Sequence, residues 1–441
     1  SILNTFSGDN LVNNAEAAVD QTLSGRVTGA AAGDTVSVTV GGKSYTATVG
    51  SDLKWSVTIP SADLQAFGDG ELTFSASVTN AHGNTGTGER DININAELPG
   101  LRVNTISGDD VINAIEQQQD LAVTGSSTHL AEGTQITVTI NNVEYVTTVN
   151  ASGSWQIGVP SADLQAWTAG GMTVSVSAED AWGNTVAAEH PIELDLNAVA
   201  VTIDTVTTDD MLNAAEKGAD VTLSGQTQGV EAGQTVVVKF ADQTFTAQVQ
   251  QDGSWRLTVP ASAMETLIDG RAQVSVSVTN VNGNSADASR VVIVDTQPPA
   301  ITLDNLTDDN IINAAEAQQD LVLSGSTTAE AGQTVTVTLN GKSYQTTVQA
   351  DGRWQLNVPA ADVGALTDGN VTVTATVSDV AGNSSSADRV GLVDATVPQV
   401  TINDFVTDTN TVNQLAHSQA QILSGSVTGA AAGDFVIITI N

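Results

Sequence analysis

Residues 333–348 read Gln333-Thr-Val-Thr-Val-Thr-Leu-Asn-Gly-Lys-Ser-Tyr-Gln-Thr-Thr-Val348. Val335, Val337 and Leu339 fall on one face and Thr334, Thr336 and Thr338 on the other, the period of two of a half-buried strand. Asn340-Gly341 is a turn pair that tolerates positive φ at both positions, so the chain reverses there into a second strand. Working outward, Asp351-Gly352 leads into Trp354-Gln-Leu-Asn-Val358. Asn370–Val377 is the longest alternating run, and Ala381-Gly382-Asn383 turns it into a last strand.

The same pattern recurs. Trp55, Trp155, Trp255 and Trp354 share one phase, each followed at +5 by Pro60, Pro160, Pro260 and Pro359. Gly25, Gly125, Gly225, Gly325 and Gly425 mark another. Five copies follow: 1–99, 100–199, 200–298, 299–397 and a partial 398–441. A period this long is a domain and not a solenoid unit. About seven strands per copy, rich in Thr, Val and Gly, predict an all-β chain of tandem immunoglobulin-like β-sandwiches, arranged in an extended rod. The one helical break, Asp362–Leu366, reads as a short turn over the open edge of a sandwich. The Trp residues read as core anchors, Trp167 included, because it shares the phase of Phe67, Leu267 and Leu366.

Lys and Arg total 13 against 50 Asp and Glu, a formal charge of −37. That excludes nucleic acid and anionic membrane as partners, which need a basic surface. With 40% hydrophobic and 14% charged residues the composition is nonetheless a folding one. No Cys means no disulfide, zinc ribbon or thiol nucleophile. No apolar run is long enough to insert in a membrane, and the chain reads as a monomeric piece of something longer. His82, His129, His190 and His417 each fall at a different phase, and no Ser/His/Asp trio recurs, so no enzyme is expected.

The acidic residues carry the chemistry. One set lies at strand ends. The last strand of each copy finishes at Asn95, Asp195, Asp295 and Asp394. The next copy adds Asn104, Asp204, Asp304 and Asn403. The loop after the second strand adds Glu132, Glu231 and Glu330, and the loop before Gly-Asn adds Asp180, Asn280 and Asp379. All four positions are expected to converge on the joint between a copy and its predecessor. Two carboxylates about 5 Å apart repel by about 0.8 kcal/mol in water-like dielectric and about 3 at an effective constant of 20. A hard cation among them reverses that sign, and Ca2+ takes carboxylate, amide and carbonyl oxygens. An acidic rim kept for solubility is the plain alternative. Counted by charge, Ca2+ affinity should fall from the joint entering copy four to those entering copies three and two, with the fifth weakest.

A second acidic set lies between the first two strands: Asp9, Asn10 and Glu16; Asp109, Asp110 and Glu116; Asp209, Asp210 and Glu216; Asp309, Asn310 and Glu316. It belongs at the exit end of the copy. Asn313 with Glu316 has the spacing of a capping box, and a Ca2+-binding role for Asp309 and Asn310 is compatible with it. The fifth copy has Asp408, Asn410 and Asn413, with Ala416 in place of Glu. Trp182, at a loop tip where the other copies have His82, Asn282 and Ala381, either packs on the preceding copy or stacks on a sugar.

The combined string of Asp309 to Glu316, Glu330-Ala-Gly-Gln-Thr-Val335, Asp351-Gly-Arg-Trp354 and Asp379-Val-Ala-Gly-Asn383 resembles the bacterial Ig-like repeats of giant, type I-secreted, non-fimbrial adhesins. The resemblance implies a calcium-stiffened stalk on the bacterial surface that extends toward a host cell and its glycans. The alternative is a lectin-like segment that holds sugar through loop residues such as Trp182. Asn80, Asn95 and Asn280 depart from the acidic pattern.

Overall fold

The structure is a computed structural model that describes residues 1–404, 411, 414, 418 and 420–440. Asp408, Asn410, Asn413, Ala416 and His417 lie outside the described residues. The chain divides into two compact units: residues 1–200 with 228–234 and 279–286, and the remainder.

In the first unit, copy one runs β1 (Ile2–Leu3), β2 (Leu11–Asn13), α1 (Asn14–Ala17), β3 (Gln21–Arg26), β4 (Thr35–Val40), β5 (Lys43–Thr48), β6 (Lys54–Ile59), α2 (Ser61–Phe67), β7 (Gly70–Thr79) and β8 (Thr85–Asn95). One sheet has the order β2-β8-β7-β4-β5 and the other β1-β3-β6. The first strand therefore changes sheets: β1 pairs antiparallel with β3, and β2 pairs parallel with β8. Copy two repeats this, with Val111–Asn113 beside Thr185–Asp195 and Gly100–Val103 beside Leu121–Thr128. In the second unit, copy four places Ile311–Asn313 against Ser384–Asp394 and Leu321–Ser326 against Arg353–Val358. Copy three pairs Val221–Gln228 with Ser254–Val259, and Thr235–Phe240 with both Gln243–Gln248 and Gly270–Thr279. The immunoglobulin-like sandwich is thus repeated as the alternation predicts. In the fifth copy Gln399–Ile402 pairs with Gly425–Thr428, and Phe435 and Ile437 are exposed.

The core forms where alternating residues of the two sheets meet. In copy four, Val335, Val337 and Leu339 pack with Trp354, Leu356, Val358, Val373 and Ala375. The four repeated Trp side chains are at most 3% exposed, and Trp167 is buried as well. Each repeated Trp lies on a glycine of the neighbouring strand. A Cβ at Gly325 would stand 2.7 Å from Trp354 Cζ2 and 2.0 Å from the Thr302 carbonyl oxygen; Gly25, Gly125 and Gly225 are equally enclosed. The glycine is what lets the first strand and the indole share one layer.

The helical break after each Pro is a short helix, as at Ala360–Val363. Its Asp ties it to the edge strand, with Tyr344 Oη donating to Asp362 Oδ2 at 2.7 Å and Tyr145 Oη to Asp163 at 3.0 Å. Burial first, and then the facing carboxylate, raise the pKa of Tyr145 and Tyr344 to about 12. Lys43 and Lys342 pair with the same Asp in copies one and four.

Gly325→Ala should destabilise copy four by roughly 1–3 kcal/mol, because the new methyl displaces either the indole or the first strand. Denaturant unfolding followed by Trp fluorescence checks this. An unchanged midpoint would show that the first strand moves freely.

Candidate functional site

The residues between β2 and α1 set the joint. Asn13 caps the helical turn: its Oδ1 accepts from the Glu16 backbone N–H at 2.9 Å, and the Asn13 N–H donates to Glu16 Oε2 at 3.0 Å. The same reciprocal pair forms at Asn113 and Glu116, Asn213 and Glu216, and Asn313 and Glu316. The capping box read from Asn313 and Glu316 is therefore present in all four complete copies. In copies two to four the same Asn Oδ1 also accepts from the second residue of the turn, but in every copy the cap leaves the N–H of the residue just after it unmet.

That donor is met by the next copy. Asn14 N–H donates to Asn184 Oδ1 at 2.8 Å, Ala114 N–H to Asn284 Oδ1 at 2.8 Å, and Ala214 N–H to Asn383 Oδ1 at 2.9 Å. The amide nitrogen of the same Asn turns to the last strand of the preceding copy. Asn184 donates to the Asn95 carbonyl at 2.9 Å, Asn284 to Asp195 at 3.0 Å, and Asn383 to Asp295 at 2.8 Å. The three Asn residues are 3%, 4% and 6% exposed, so the amide end of each bond is buried, where an unmet group costs most, while the donors stand on the exposed residues Asn14, Ala114 and Ala214. The glycine before each Asn has φ between 83° and 91°. A Cβ there would approach the preceding cap, 2.6 Å from Asn113 Nδ2 at Gly283 and 3.3 Å from Asn213 Nδ2 at Gly382. Gly-Asn is legible in sequence only as a turn. Its repetition at one phase, together with the repeated Asn-x-x-Glu of the cap, is the signal that pairs the two motifs.

Carboxylates surround this clip. Asp379 Oδ1 accepts from the Asn383 N–H and Oδ2 from its amide; Asp180 does the same for Asn184. Asn280 takes that place in copy three through Oδ1. Glu231 and Glu330 accept from the backbone of Val281 and Val380, each at 3.0 Å. Asp195 receives the Asn282 amide at 2.6 Å. Burial pushes the Asp195 carboxyl up, but the Asn282 amide and the Asn197 N–H outweigh it, and its pKa lies below the usual range. Asp195 and Asp379 are 4% and 7% exposed, and among the described residues neither is in an ion pair with a cationic side chain.

The structure thus brings Asn95, Asp195 and Asp295, with Glu16, Glu116 and Glu216, to the loops of Asp180, Asn280 and Asp379 in the next copy. Glu231 and Glu330 reach the same loops, and Glu132 occupies the equivalent loop of copy two. It does not bring Asn104, Asp204, Asp304 or Asn403 there, which corrects the expected fourfold convergence. These residues follow the first strand and lie opposite the second, and each bonds its partner in the same copy: Asn104 with Thr124, Asp204 with Ser224, Asp304 with Ser324, and Asn403 with Ser424. Asp394 ends the last strand of copy four, beside Asn313.

Asp9, Asp109, Asp209 and Asp309 each accept the N–H two residues on. Asn10, Asp110, Asp210 and Asn310 each accept the N–H four residues back, at Phe6, Ile106, Val206 and Leu306. In copy three Arg290 holds Asp210 through two bonds of 2.6 Å and also donates to the Ile203 carbonyl. Hydrogen bonding from Arg290 is the main cause of the lowered Asp210 pKa. His190 meets Asp110 at 2.6 Å in copy two. These groups thus hold their own loop and the first strand. Trp182 is half-buried, its N–H on Asp180 Oδ1. Glu97 turns to His129 Nε2, 3.3 Å away. Among the described residues no three His, Asp or Glu side chains are grouped closely enough to hold a metal ion. The chemistry of the donors still suits a hard cation, since the joint collects buried carboxylates and amide and backbone oxygens without a basic side chain.

The fold and its repeated joint define a class of protein: tandem immunoglobulin-like domains linked through buried amides. Residues 299–396 match the family model of the bacterial Ig-like domain. The same motifs recur in phase through the other copies. Over 89% of its length it is 33% identical to 98% of a Ca2+-stabilized adhesin with which an Antarctic bacterium reaches out and binds ice, at a TM-score of 0.37. It is 29% identical to a tetra-tandem repeat from the extending region of a large adhesion protein, covering 90% of this chain and 99% of that one, again with a TM-score of 0.37. A 1.5-MDa bacterial ice-binding adhesin is 30% identical, over 68% of this chain and 98% of that one, also with a TM-score of 0.37. Comparison with curated proteins gave no match.

Asn284→Ala should leave the Ala114 N–H and the Asp195 carbonyl without partners. At about 1–3 kcal/mol per buried unmet group, hydrogen exchange at Ala114 should accelerate roughly tenfold or more, with exchange in the core strand that carries Ile136 unchanged. Equal exchange at Ala114 would show that the clip does not hold the joint.

Proposed function

We propose that the chain is an extender segment of a bacterial surface adhesin, with joints stiffened by Ca2+, that carries an attachment tip toward a host cell and its glycans. The observation that carries this reading is the clip of Asn184, Asn284 and Asn383, built identically at three joints and ringed by carboxylates. A joint repeated in this way suits a part whose work is length and orientation. The adhesins named above are described as Ca2+-stabilized, as an extending region and as bacterial; those descriptions come to this chain as part of the proposal. Surface location and type I export belong to it too, as does the narrower likeness of the sequence to the repeats of SiiE, the giant non-fimbrial adhesin of Salmonella. A sugar-binding role for Trp182 has less support, because the residue is half-buried beside the joint.

The residues that would hold Ca2+ entering copy four are Asp295, Glu330 and Asp379, with Glu216 from the capped turn. Entering copy three they are Asp195, Glu231 and Glu116, with Asn280 as a neutral oxygen. Entering copy two they are Glu132, Asp180 and Glu16. Bound there, Ca2+ neutralises mutually repelling carboxylates and ties the loop of one copy to the last strand of another.

Because each sandwich has its own core, chelation should loosen joints before it melts domains. Small-angle scattering should show a maximum dimension that changes on adding EDTA, while circular dichroism stays constant. An unresponsive particle would contradict the calcium reading, and one-step unfolding would make the metal part of the fold. Calorimetric titration of Ca2+ should weaken most with Asp295→Asn or Asp379→Asn, since affinity rises with ligand charge. Equal losses from Asp195→Asn and Asp295→Asn would show that backbone and water ligands outweigh the charges.

A further inference from the structure

Copy three departs from the others on one outward face. Strand alternation places Lys239, Arg271, Gln273 and Ser275 on the same side, since Lys239 lies opposite Ser275 while Val274 and Val276 are buried. These four, with Thr244 and Ile268, line a groove bounded by the turn at Ala241 and Asp242. Lys239 stands where the other copies have Thr39, Thr139 and Thr338. Arg271 stands where they have Glu71, Gly171 and Asn370. Two cations against the single acid Asp242 invert the balance of a chain with 50 acidic and 13 basic residues. Among the described residues neither cation is in an ion pair. Other cations of the chain are engaged, as with Lys43, Lys342 and Arg290.

The groove is also open for a reason of packing. In copy one the Phe67 ring lies over Gly41 of the equivalent turn, and in copy two Trp167 is buried in the corresponding position. Copy three has the smaller Leu267, whose carbonyl is held by Lys217 Nζ at 2.6 Å, and the next residue, Ile268, is 83% exposed. The turn itself is strained: Ala241, with φ of 52°, occupies a left-handed position that Gly41, Asn141 and Asn340 fill elsewhere.

We propose that this groove binds a sugar carrying a carboxylate. Arg271 presents a planar fork that matches a carboxylate, and Lys239 supplies a second positive charge. Gln273, Thr244 and Ser275 offer amide and hydroxyl partners for ring hydroxyls. Ile268 gives an apolar edge to the carbon face of the ring. The Cα atoms of Arg271 and Ser275 are roughly 13 Å apart along the strand, so side chains from both ends span a single sugar ring. The site lies on the sheet of copy three and uses none of the joint residues, so it is independent of the calcium reading.

The test is saturation-transfer NMR on the full chain with glucuronate and N-acetylneuraminate, against glucose as the neutral control, all in EDTA so that no cation bridges the carboxylate. The acidic sugars should give saturation transfer and glucose none. Lys239→Thr and Arg271→Glu restore the residues of copy one and are compatible with the fold; each should weaken binding at least about tenfold. Ile268→Thr should weaken it without altering its salt dependence. Equal signals from glucose, unchanged binding in both charge variants, or no transfer at roughly 10 mM sugar would overturn the proposal.

Discussion

The joints depend on one unmet backbone donor. A capping box satisfies most of the first turn of a short helix but not the N–H directly after the cap, and here Asn14, Ala114 and Ala214 hold that donor. Its acceptor is a buried Asn amide, and leaving such an amide without a partner costs about 1–3 kcal/mol. The following copy supplies the partner, and its amide also closes on the last strand of the preceding copy. Each Asn therefore binds two elements of its neighbour, the capped turn and the strand end, which fixes direction as well as proximity. Glycine at Gly183, Gly283 and Gly382 is required twice, by positive φ and by the approaching cap.

Once the clip is in place, the placing of the acids follows. Asp180 and Asp379 orient the Asn that makes it, Glu231 and Glu330 orient the loop, and Asp195 ends, and Asp295 directly follows, the strand on which it closes. Burial raises the Asp195 pKa, and the hydrogen bonds from Asn282 and Asn197 outweigh it and favour the carboxylate. Bringing carboxylates together adds repulsion at each joint, which the proposed Ca2+ would relieve. In the proposed reading clip and cation are complementary: one sets the geometry from neutral amides, and the other would remove the charge that geometry concentrates.

Much of this is legible in the sequence. Alternation in Thr334–Leu339 and its copies locates the strands and the core, because a strand's face depends only on its own residues. The Asn313 and Glu316 cap is legible for the same reason: its partners are three residues apart. The clip is not, since Asn14 and Asn184 lie 170 residues apart and Gly-Asn has a sufficient local explanation as a turn. Asp304 escapes a reading by strand ends because its place depends on the pairing of the chain with the second strand, which sets it opposite Ser324 in the same copy. The groove of copy three is hidden from a search for departures among aromatics, because what departs there is the charge of the outward face.

The chain contains no cysteine, so two introduced at exposed Thr258 and Thr347 carry spin labels without interference. Pulsed electron–electron double resonance between them reads the order of the joint that Asn383 closes. The account predicts one narrow distance distribution, sharpened further by Ca2+ and broadened by Asn383→Ala. A broad distribution in the unmodified chain, or one indifferent to Asn383→Ala, would contradict it.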